Sequence, residues 1–341
     1  MNRQLIRDLL YNLTKPFQLG LLRKVSGENF IFPFYHLVSD TPLPHVKHLY
    51  PVVTKRQFLS DLDYLLKHFK PATTEDVLNY TRNHKKTEQP FFFLSFDDGM
   101  RECYDIVFPI LEKKGLQAAF FVNPAFIGNK ALFFRHRISL ILETIFNDAE
   151  GGIVSGLSGL LKSANIEKDT LTEKIRMLGY DDSEVIDEAG KICGIDFNGY
   201  LKKVKPYMTL EQIRELHTGG FLIGSHGYDH PEFGKIDEKV RQWQVTESMD
   251  YLRKNINPVI SAFAFPFTDV NVPGRFFDFL YNKANVDVTF GTAGIKKDPE
   301  IKHIQRIPME VEGKNAEKII RSEYAYFWGK SIFGKNRIKR T

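Results

Sequence analysis

Phe91-Phe92-Phe93-Leu94-Ser95-Phe96-Asp97-Asp98-Gly99 is an apolar run that ends abruptly in two carboxylates and a glycine. A continuous apolar run bounded by a turn signal marks a central strand of a parallel sheet, buried on both faces. A second run, Phe221-Leu222-Ile223-Gly224-Ser225, has the same character and ends in His226-Gly227-Tyr228-Asp229-His230. Catalytic groups of α/β barrels sit where such strands end. Two histidines and one carboxylate leave a coordination position open for water, the arrangement of a hydrolytic metal site.

Outward from these two segments the pattern is strand, helix, strand. Asn29–His36 reads as a buried strand ending in Tyr35-His36, and Thr54 opens a helix with Phe58, Leu62, Leu65 and Leu66 at helical spacing. Cys103–Lys114 reads as a helix closed by Gly115, and Ala118–Val122 as the next strand. Thr209 and Gln212 are spaced as a capping box, and Ile260–Phe265, Val286–Thr289 and His303–Ile307 are later strand candidates. Repeated βαβ units argue for a parallel sheet or barrel. Residues 130–205 break the rhythm and read as a helical insertion on the top of the barrel, bearing on substrate access. Residues 1–24 read as an amphipathic helix with Leu5, Leu9 and Leu13 on one face.

Bulk composition narrows the classes. A chain of 341 residues, 43% hydrophobic, can bury one large α/β domain with insertions. Lys+Arg 47 against Asp+Glu 42 is not a nucleic-acid-binding profile. Cys103 and Cys193, the 2 cysteines, form neither a zinc knuckle nor a disulfide framework, which fits a reducing compartment. The first residues lack the features of a secretory signal, and no stretch reaches the length of a membrane span. The expectation is a cytoplasmic protein.

The residues at the two strand ends carry the chemistry. A turn at Gly99 lets one carboxylate of the Asp97-Asp98 pair bind a cation while the other stays free as a base. An ordinary strand-to-helix turn with an aspartate N-cap gives the same triplet. His226 and His230 share a face if the backbone coils into a helical turn after Ser225, and Pro231 places His230 in a rigid turn. Two histidines at chance spacing are the alternative.

Taken together, these segments resemble a known family. Ser95-Phe96-Asp97-Asp98-Gly99 resembles the TFDDG first motif of the polysaccharide deacetylases (carbohydrate esterase family 4, NodB homology domain). Ser225-His226-Gly227-Tyr228-Asp229-His230-Pro231 resembles the second motif, with Gly227 in place of a Ser or Thr. Phe263-Ala264-Phe265-Pro266-Phe267 resembles the third motif in its FAYPYG form. The likeness covers roughly residues 30–130 and 205–310. It implies a distorted (β/α)7-type barrel and a divalent metal on Asp98, His226 and His230, with zinc favoured and cobalt or nickel acceptable. Asp97 would be the general base towards water, and the backbone N–H of Phe267 would help hold the oxyanion. The reaction implied is hydrolytic removal of an N-acetyl or N-formyl group from an amino-sugar glycan or a lipid-linked intermediate of cell-surface glycan synthesis.

Two departures stand out. No arginine lies between Ser261 and Phe267 to orient the base, and no leucine-x-histidine near the C-terminus supplies the acid. His303, the one late histidine, lies early on its strand, the wrong end. The subgroup resembling biofilm poly-N-acetylglucosamine deacetylases has permuted motifs and draws its acid from an N-terminal Tyr-His, which nominates His36. Arg306 is a weaker nomination as partner of Asp97. The rival readings are an amidohydrolase acting on a small non-glycan amide and a silent metal- or glycan-binding homologue. The expected layout is a helix over 1–24, a barrel over 25–322 and a basic aromatic tail over 323–341. A docked C-terminal helix is one reading of that tail, and contact with the inner face of an anionic membrane is the other.

Overall fold

The computed structural model describes residues 11–340 except 13, 84–86, 149–150 and 162–166. In chain order the strands are β1 (Phe30–Ile31), β2 (Pro33–Tyr35), β3 (Lys70–Pro71), β4 (Phe91–Phe92), β5 (Leu94–Phe96), β6 (Ala118–Val122), β7 (Leu222–Ser225), β8 (Ala262–Ala264), β9 (Val288–Gly291), β10 (His303–Gln305) and β11 (Ile307–Pro308). The main sheet runs β10-β9-β8-β7-β6-β5-β2-β11, and every pair in it is parallel. β10 and β11 are one stretch of chain interrupted at Arg306, pairing with β9 on one side and β2 on the other. This shared stave closes the sheet into a barrel of seven staves. The backbone shows the seam directly: Arg306 N–H donates to Gly291 O at 3.2 Å and Ile307 N–H to Phe32 O at 2.8 Å.

The apolar runs produce this arrangement because their side chains are buried on both faces, as parallel strands inside a shell of helices require. β5 through β9 are buried along their length. A small parallel sheet, β1-β4-β3, lies at the N-terminal end of the barrel, where Phe30 stacks on Phe32 and Tyr80 packs tilted against both.

The expected helices form with local adjustments. Thr54 caps Lys55–His68, and both capping-box bonds of Thr209 and Gln212 are made on Leu210–Thr218. Gly115 has φ +64° after Phe108–Lys113. The preceding turn, Cys103–Val107, is π-helical rather than α-helical. Pro109 accounts for the irregularity, since it lacks the N–H an α-helix needs there. Between β6 and Leu210–Thr218 the chain forms the helices Phe134–Asn147, Gly152–Leu160, Lys168–Met177, Ser183–Ile192 and Phe197–Val204.

The ends differ from the expected layout. Much of the expected N-terminal helix, including Leu5, Leu9 and Leu13, falls outside the described residues. A turn at 15–17, where Pro16 disfavours helix in the residue before it, precedes the helix Leu19–Ser26. The C-terminal boundary at 323 cuts through a single helix, Ala316–Ile332. Glu323, Tyr324, Ala325 and Phe327 are buried in it, and Tyr324 Oη–H donates to Glu28 O at 2.9 Å. Arg321 fastens the same helix to the carbonyls of Thr14, Lys15 and Phe17.

Candidate active site

Because the barrel strands are parallel, their C-terminal ends open on one face and bring together residues far apart in sequence. His36 follows β2, Asp97 and Asp98 follow β5, His226 follows β7, and Phe267 lies just past β8. With His230 they line one cavity of about 430 Å³.

Asp97 is held by the seam. Arg306 Nη1 donates to its Oδ1 at 2.7 Å and Nη2 to its Oδ2 at 2.8 Å, a bidentate fork. The guanidinium is fully buried and is fixed further by Ser95 Oγ, Gly291 O and the face of Phe34, 4.4 Å from its centre. Burial works against ionisation of Asp97, but the charge and hydrogen bonds of Arg306 outweigh it and hold the carboxyl below its usual range. The third-motif segment lacks an arginine, and the closing stave supplies one to the same carboxylate.

Asp98 adopts a left-handed φ of +71° and Gly99 one of +65°, which turns the two adjacent carboxylates to different partners, Asp97 to Arg306 and Asp98 towards the histidines. A Cβ on Gly99 would meet Val122 Cγ1 at 3.2 Å in a conformation that L residues avoid. Asp98 Oδ1 lies 3.0 Å from His230 Nε2 and 3.6 Å from His226 Nε2. Although buried, this oxygen makes no hydrogen bond of acceptable geometry among the described residues. His230 Nδ1 likewise has no partner among the described residues and can carry the ring proton, which lets Nε2 face the same point as Asp98 Oδ1 with its lone pair. His226 Nδ1 donates to Ala264 O at 2.8 Å, which leaves the Nε2 lone pair free. Burial pushes the His226 pKa down to about 4, consistent with a neutral imidazole. Ligand atoms of Asp98, His226 and His230 all lie within 4.8 Å of one another. Two imidazoles and a carboxylate are the donor set a borderline divalent cation prefers, so these residues fit such an ion.

The segment bearing the two histidines is not a helical turn. His230 has φ +68° and Gly227 φ +77°. A left-handed φ at 227 explains glycine where the family motif has Ser or Thr. Sequence reasoning missed the residues that hold this turn. Asn123 Nδ2 donates to His226 O at 2.5 Å and to Gly227 O at 3.1 Å. Gln244 Oε1 accepts the N–H of Tyr228 at 2.8 Å and of Asp229 at 3.2 Å, and its amide donates to Asp229 Oδ1. Single polar residues on a strand end and a helix carry no periodic signal that would single them out.

His36 stands across the cavity, stacked on Tyr50 with ring centroids 4.4 Å apart. Its Nδ1 makes a short contact with Glu310 Oε2, and its backbone N–H donates to Glu310 Oε1 at 2.7 Å. Burial alone would lower the imidazole pKa, but the Glu310 carboxylate, aided by Asp98 and Asp97, raises it to about 9. The side chain is 23% exposed, and with Nδ1 engaged its Nε2 is the free ring nitrogen. Glu310 was not legible in the sequence, as it lies two residues past β11 with no motif around it.

Phe267 also has a left-handed φ, +56°, and its N–H donates to nothing among the described residues. Its ring lies 4.7 Å from that of His230, and Phe133 packs on His230 at 4.4 Å. Phe126 stacks on Tyr207, and Phe134 meets Phe133 edge-on. The insertion therefore supplies cleft wall, with Phe133, Arg135, Ile138 and Arg176 facing the cavity.

His303 sits elsewhere, at the start of β10 in a buried cluster with Asp269 and Asp298. Arg340 enters that cluster, with Nη2 2.6 Å from Asp269 Oδ2 and 2.5 Å from Asp298 Oδ2.

A family model of polysaccharide deacetylases matches residues 84–275, more than half of the chain. No curated protein sequence matches. Among solved structures the chain is similar to the Streptococcus pyogenes deacetylase PplD in complex with acetate, at 15% identity and TM-score 0.53, covering 86% of this chain and 97% of that one. It is also similar to IcaB from Ammonifex degensii, at 14% identity and TM-score 0.54, covering 87% and 98%. At such identities these likenesses establish the fold, a NodB-like barrel. His36, Arg306 and Glu310 lie outside the span of the family match; His36 lines the cavity from β2, and the closing stave brings Arg306 to Asp97 and Glu310 to His36.

Proposed function

The chain belongs to the polysaccharide deacetylase family of hydrolases, and from that premise we propose that it is a divalent-metal-dependent N-deacetylase. Its substrate on this reading is an N-acetylated (or N-formylated) amino-sugar glycan or lipid-linked glycan intermediate. The observation that carries the reading is the convergence of Asp98 Oδ1, unpaired though buried, on the Nε2 atoms of His226 and His230, beside an Asp97 clamped by Arg306. Asp98, His226 and His230 would hold the cation, zinc by donor type with cobalt or nickel acceptable. Once bound, the cation would polarise the acyl carbonyl and acidify the attacking water.

The chain's own groups do the rest. Asp97 accepts the proton of the attacking water, its carboxylate kept ionised and aimed by the Arg306 fork. The N–H of Phe267 donates to the developing oxyanion. Protonated His36 gives its Nε2 proton to the leaving amine as the C–N bond breaks, and Glu310 holds the ring in place. Acetate release supports this function if metal-stripped protein regains it on addition of zinc, cobalt or nickel and His226→Ala does not. Substrates for the assay are chitooligosaccharides, poly-N-acetylglucosamine fragments and nucleotide- or lipid-linked N-acetyl sugars. Silence across the panel with metal bound stoichiometrically would overturn it.

Peripheral contact with an anionic membrane belongs to the same reading. It is supported by the exposed Trp328, Ile332 and Phe333 near the exposed Lys335, at the end of the helix Ala316–Ile332. Among the described residues no helix is long and apolar enough to cross a membrane. Because Tyr324 is core, truncation there would damage the barrel, so the test is point substitution. Trp328→Ala/Phe333→Ala should release the protein from phosphatidylserine vesicles in sedimentation, and unchanged binding would sink the membrane reading.

A further inference from the structure

Arg135 stands out among the charged groups of the cleft. Asp97 is paired with Arg306, Asp98 faces His226 and His230, His36 is bound to Glu310, and His48 Nε2 lies 2.6 Å from Glu143 Oε2. Arg176 pairs with Glu173 one turn back on its own helix, at 2.6 Å. Arg135 has no carboxylate within 4.0 Å among the described residues, and the nearby Glu232 is engaged by Lys235 at 2.8 Å.

The arginine is nonetheless held in place. Its Nη1 donates to Arg176 O at 2.6 Å, which ties together two helices of the insertion. Its guanidinium carbon lies 5.3 Å from the Phe134 ring and 5.6 Å from the Phe267 ring. Phe267 in turn touches His230, so one aromatic ring separates the guanidinium from the proposed metal site. The remaining donors make no hydrogen bond within the described residues. A guanidinium presents five N–H donors in a rigid fork matched to carboxylate and phosphate oxygens. Holding it half-buried without a counter-ion is unfavourable, and burial draws its pKa down. Arg176 faces the same cavity and brings a second guanidinium, one of whose donors is engaged by Glu173.

We propose that Arg135, with Arg176 beside it, forms an anion subsite in the cleft wall, and that the substrate is an acidic N-acetylated glycan. The acidic group is a carboxylate or phosphate on the sugar bearing the acetamide or on its neighbour. This rests on the deacetylase reading above and narrows its substrate class. The insertion is then the specificity element, since both arginines belong to it. Phe267 links the two functions: its amide serves the reaction and its ring seats the arginine.

The test uses three N-acetylglucosamine probes of matched length: a neutral chitotetraose, a tetrasaccharide alternating with glucuronate, and a glycosyl phosphodiester. Acetate release and direct binding by titration calorimetry are measured for the full-length protein and for Arg135→Gln, Arg135→Lys and Arg176→Gln. The expected result is a kcat/KM at least tenfold higher for an acidic probe, weakened by salt and carried mainly by KM. Arg135→Gln should collapse that preference, and Arg135→Lys should restore part of it. Preference for only one acidic probe supports the subsite and names the source of its anion. Equal use of neutral and acidic probes, or an equal loss on all three in Arg135→Gln, would overturn the proposal and leave Arg135 a structural tie. If no probe releases acetate, the deacetylase reading fails separately and binding decides. Tighter binding of an acidic probe that Arg135→Gln abolishes supports the subsite, and indifference to charge overturns it.

Discussion

Asp98, His230 and Phe267 hold left-handed backbone conformations, with φ +71°, +68° and +56°. Among the described residues, the other non-glycine positions with positive φ are asparagines apart from Lys205. Asparagine tolerates this region best and aspartate and histidine less well, whereas a bulky side chain such as that of Phe267 costs about 1–2 kcal/mol there. Strain gathered at one strand-end face points to selection for side-chain placement over local stability. The Asp97–Arg306 fork is the second residue-scale device. Asp97→Asn should abolish acetate release while metal still binds stoichiometrically, and full activity in that variant would remove Asp97 as the base. Arg306→Ala would strand a buried carboxylate, so unfolding in urea should show a loss of about 3–5 kcal/mol. His36 supplies a pH signature. Its pKa, raised to about 9, keeps the acid form populated through neutrality, so kcat/KM should fall as pH rises through about 9. The same shift makes its contribution to stability complete below about 6.5 and lost as pH climbs through about 9. Glu310→Gln removes the charge that raises the pKa, so the alkaline limb should move to lower pH. An unmoved limb would separate the limb from His36.

At the scale of elements, the two histidine ligand candidates depend on a turn that makes little regular structure of its own. The helix Glu238–Asn255 presents Gln244, fully buried, to two amides of that turn, and β6 hands over to Asn123, which takes two of its carbonyls. Losing such support commonly costs 10–100-fold in metal affinity. Gln244→Leu should therefore weaken zinc binding by about tenfold or more in competition with a chelator, with secondary structure intact by circular dichroism. The Phe91–Phe96 and Phe221–Ser225 runs, the Thr209–Gln212 box and Gly115 were legible because each is a local pattern with one physical solution. Gln244, Asn123 and Glu310 were not, since a lone polar residue gains meaning only from what the fold lays beside it. The spacing of His226 and His230 invited a helical turn, but left-handed conformations at Gly227 and His230 bring the rings together instead. Arg306, on a late strand, is already nominated from the sequence as a partner of Asp97. Its partnership with Asp97 depends on the barrel closing through that strand.

Closure is thus the molecule-scale fact on which the site rests, and the C-terminal arm reinforces it. Lys297 N–H donates to Asn336 O at 3.0 Å and Ile338 N–H to Lys297 O at 2.8 Å, pinning the arm to the connection between β9 and β10. Arg340 then enters the pocket of Asp269, Asp298 and His303, over the Phe277 ring at 4.2 Å. Asp269 reaches from the loop after Phe267 to the Thr292 amide at 3.3 Å, so the arm, the loop and the last staves form one network. Burial opposes ionisation of Asp269, but the hydrogen bonds and charges of His303 and Arg340 outweigh it and hold its pKa well below the usual carboxylate range. Arg340→Ala would leave two buried carboxylates without their cation, at a cost of about 3–5 kcal/mol near neutral pH. A carboxylate with a depressed folded pKa stabilises the fold above its unfolded value, near 4, and that stabilisation drains away as pH falls further. The gap in urea stability between the native protein and Arg340→Ala should therefore be widest at pH 6–7 and narrow below about pH 4. A gap independent of pH would mean that Arg340 acts through its packing on Phe277 rather than through its charge.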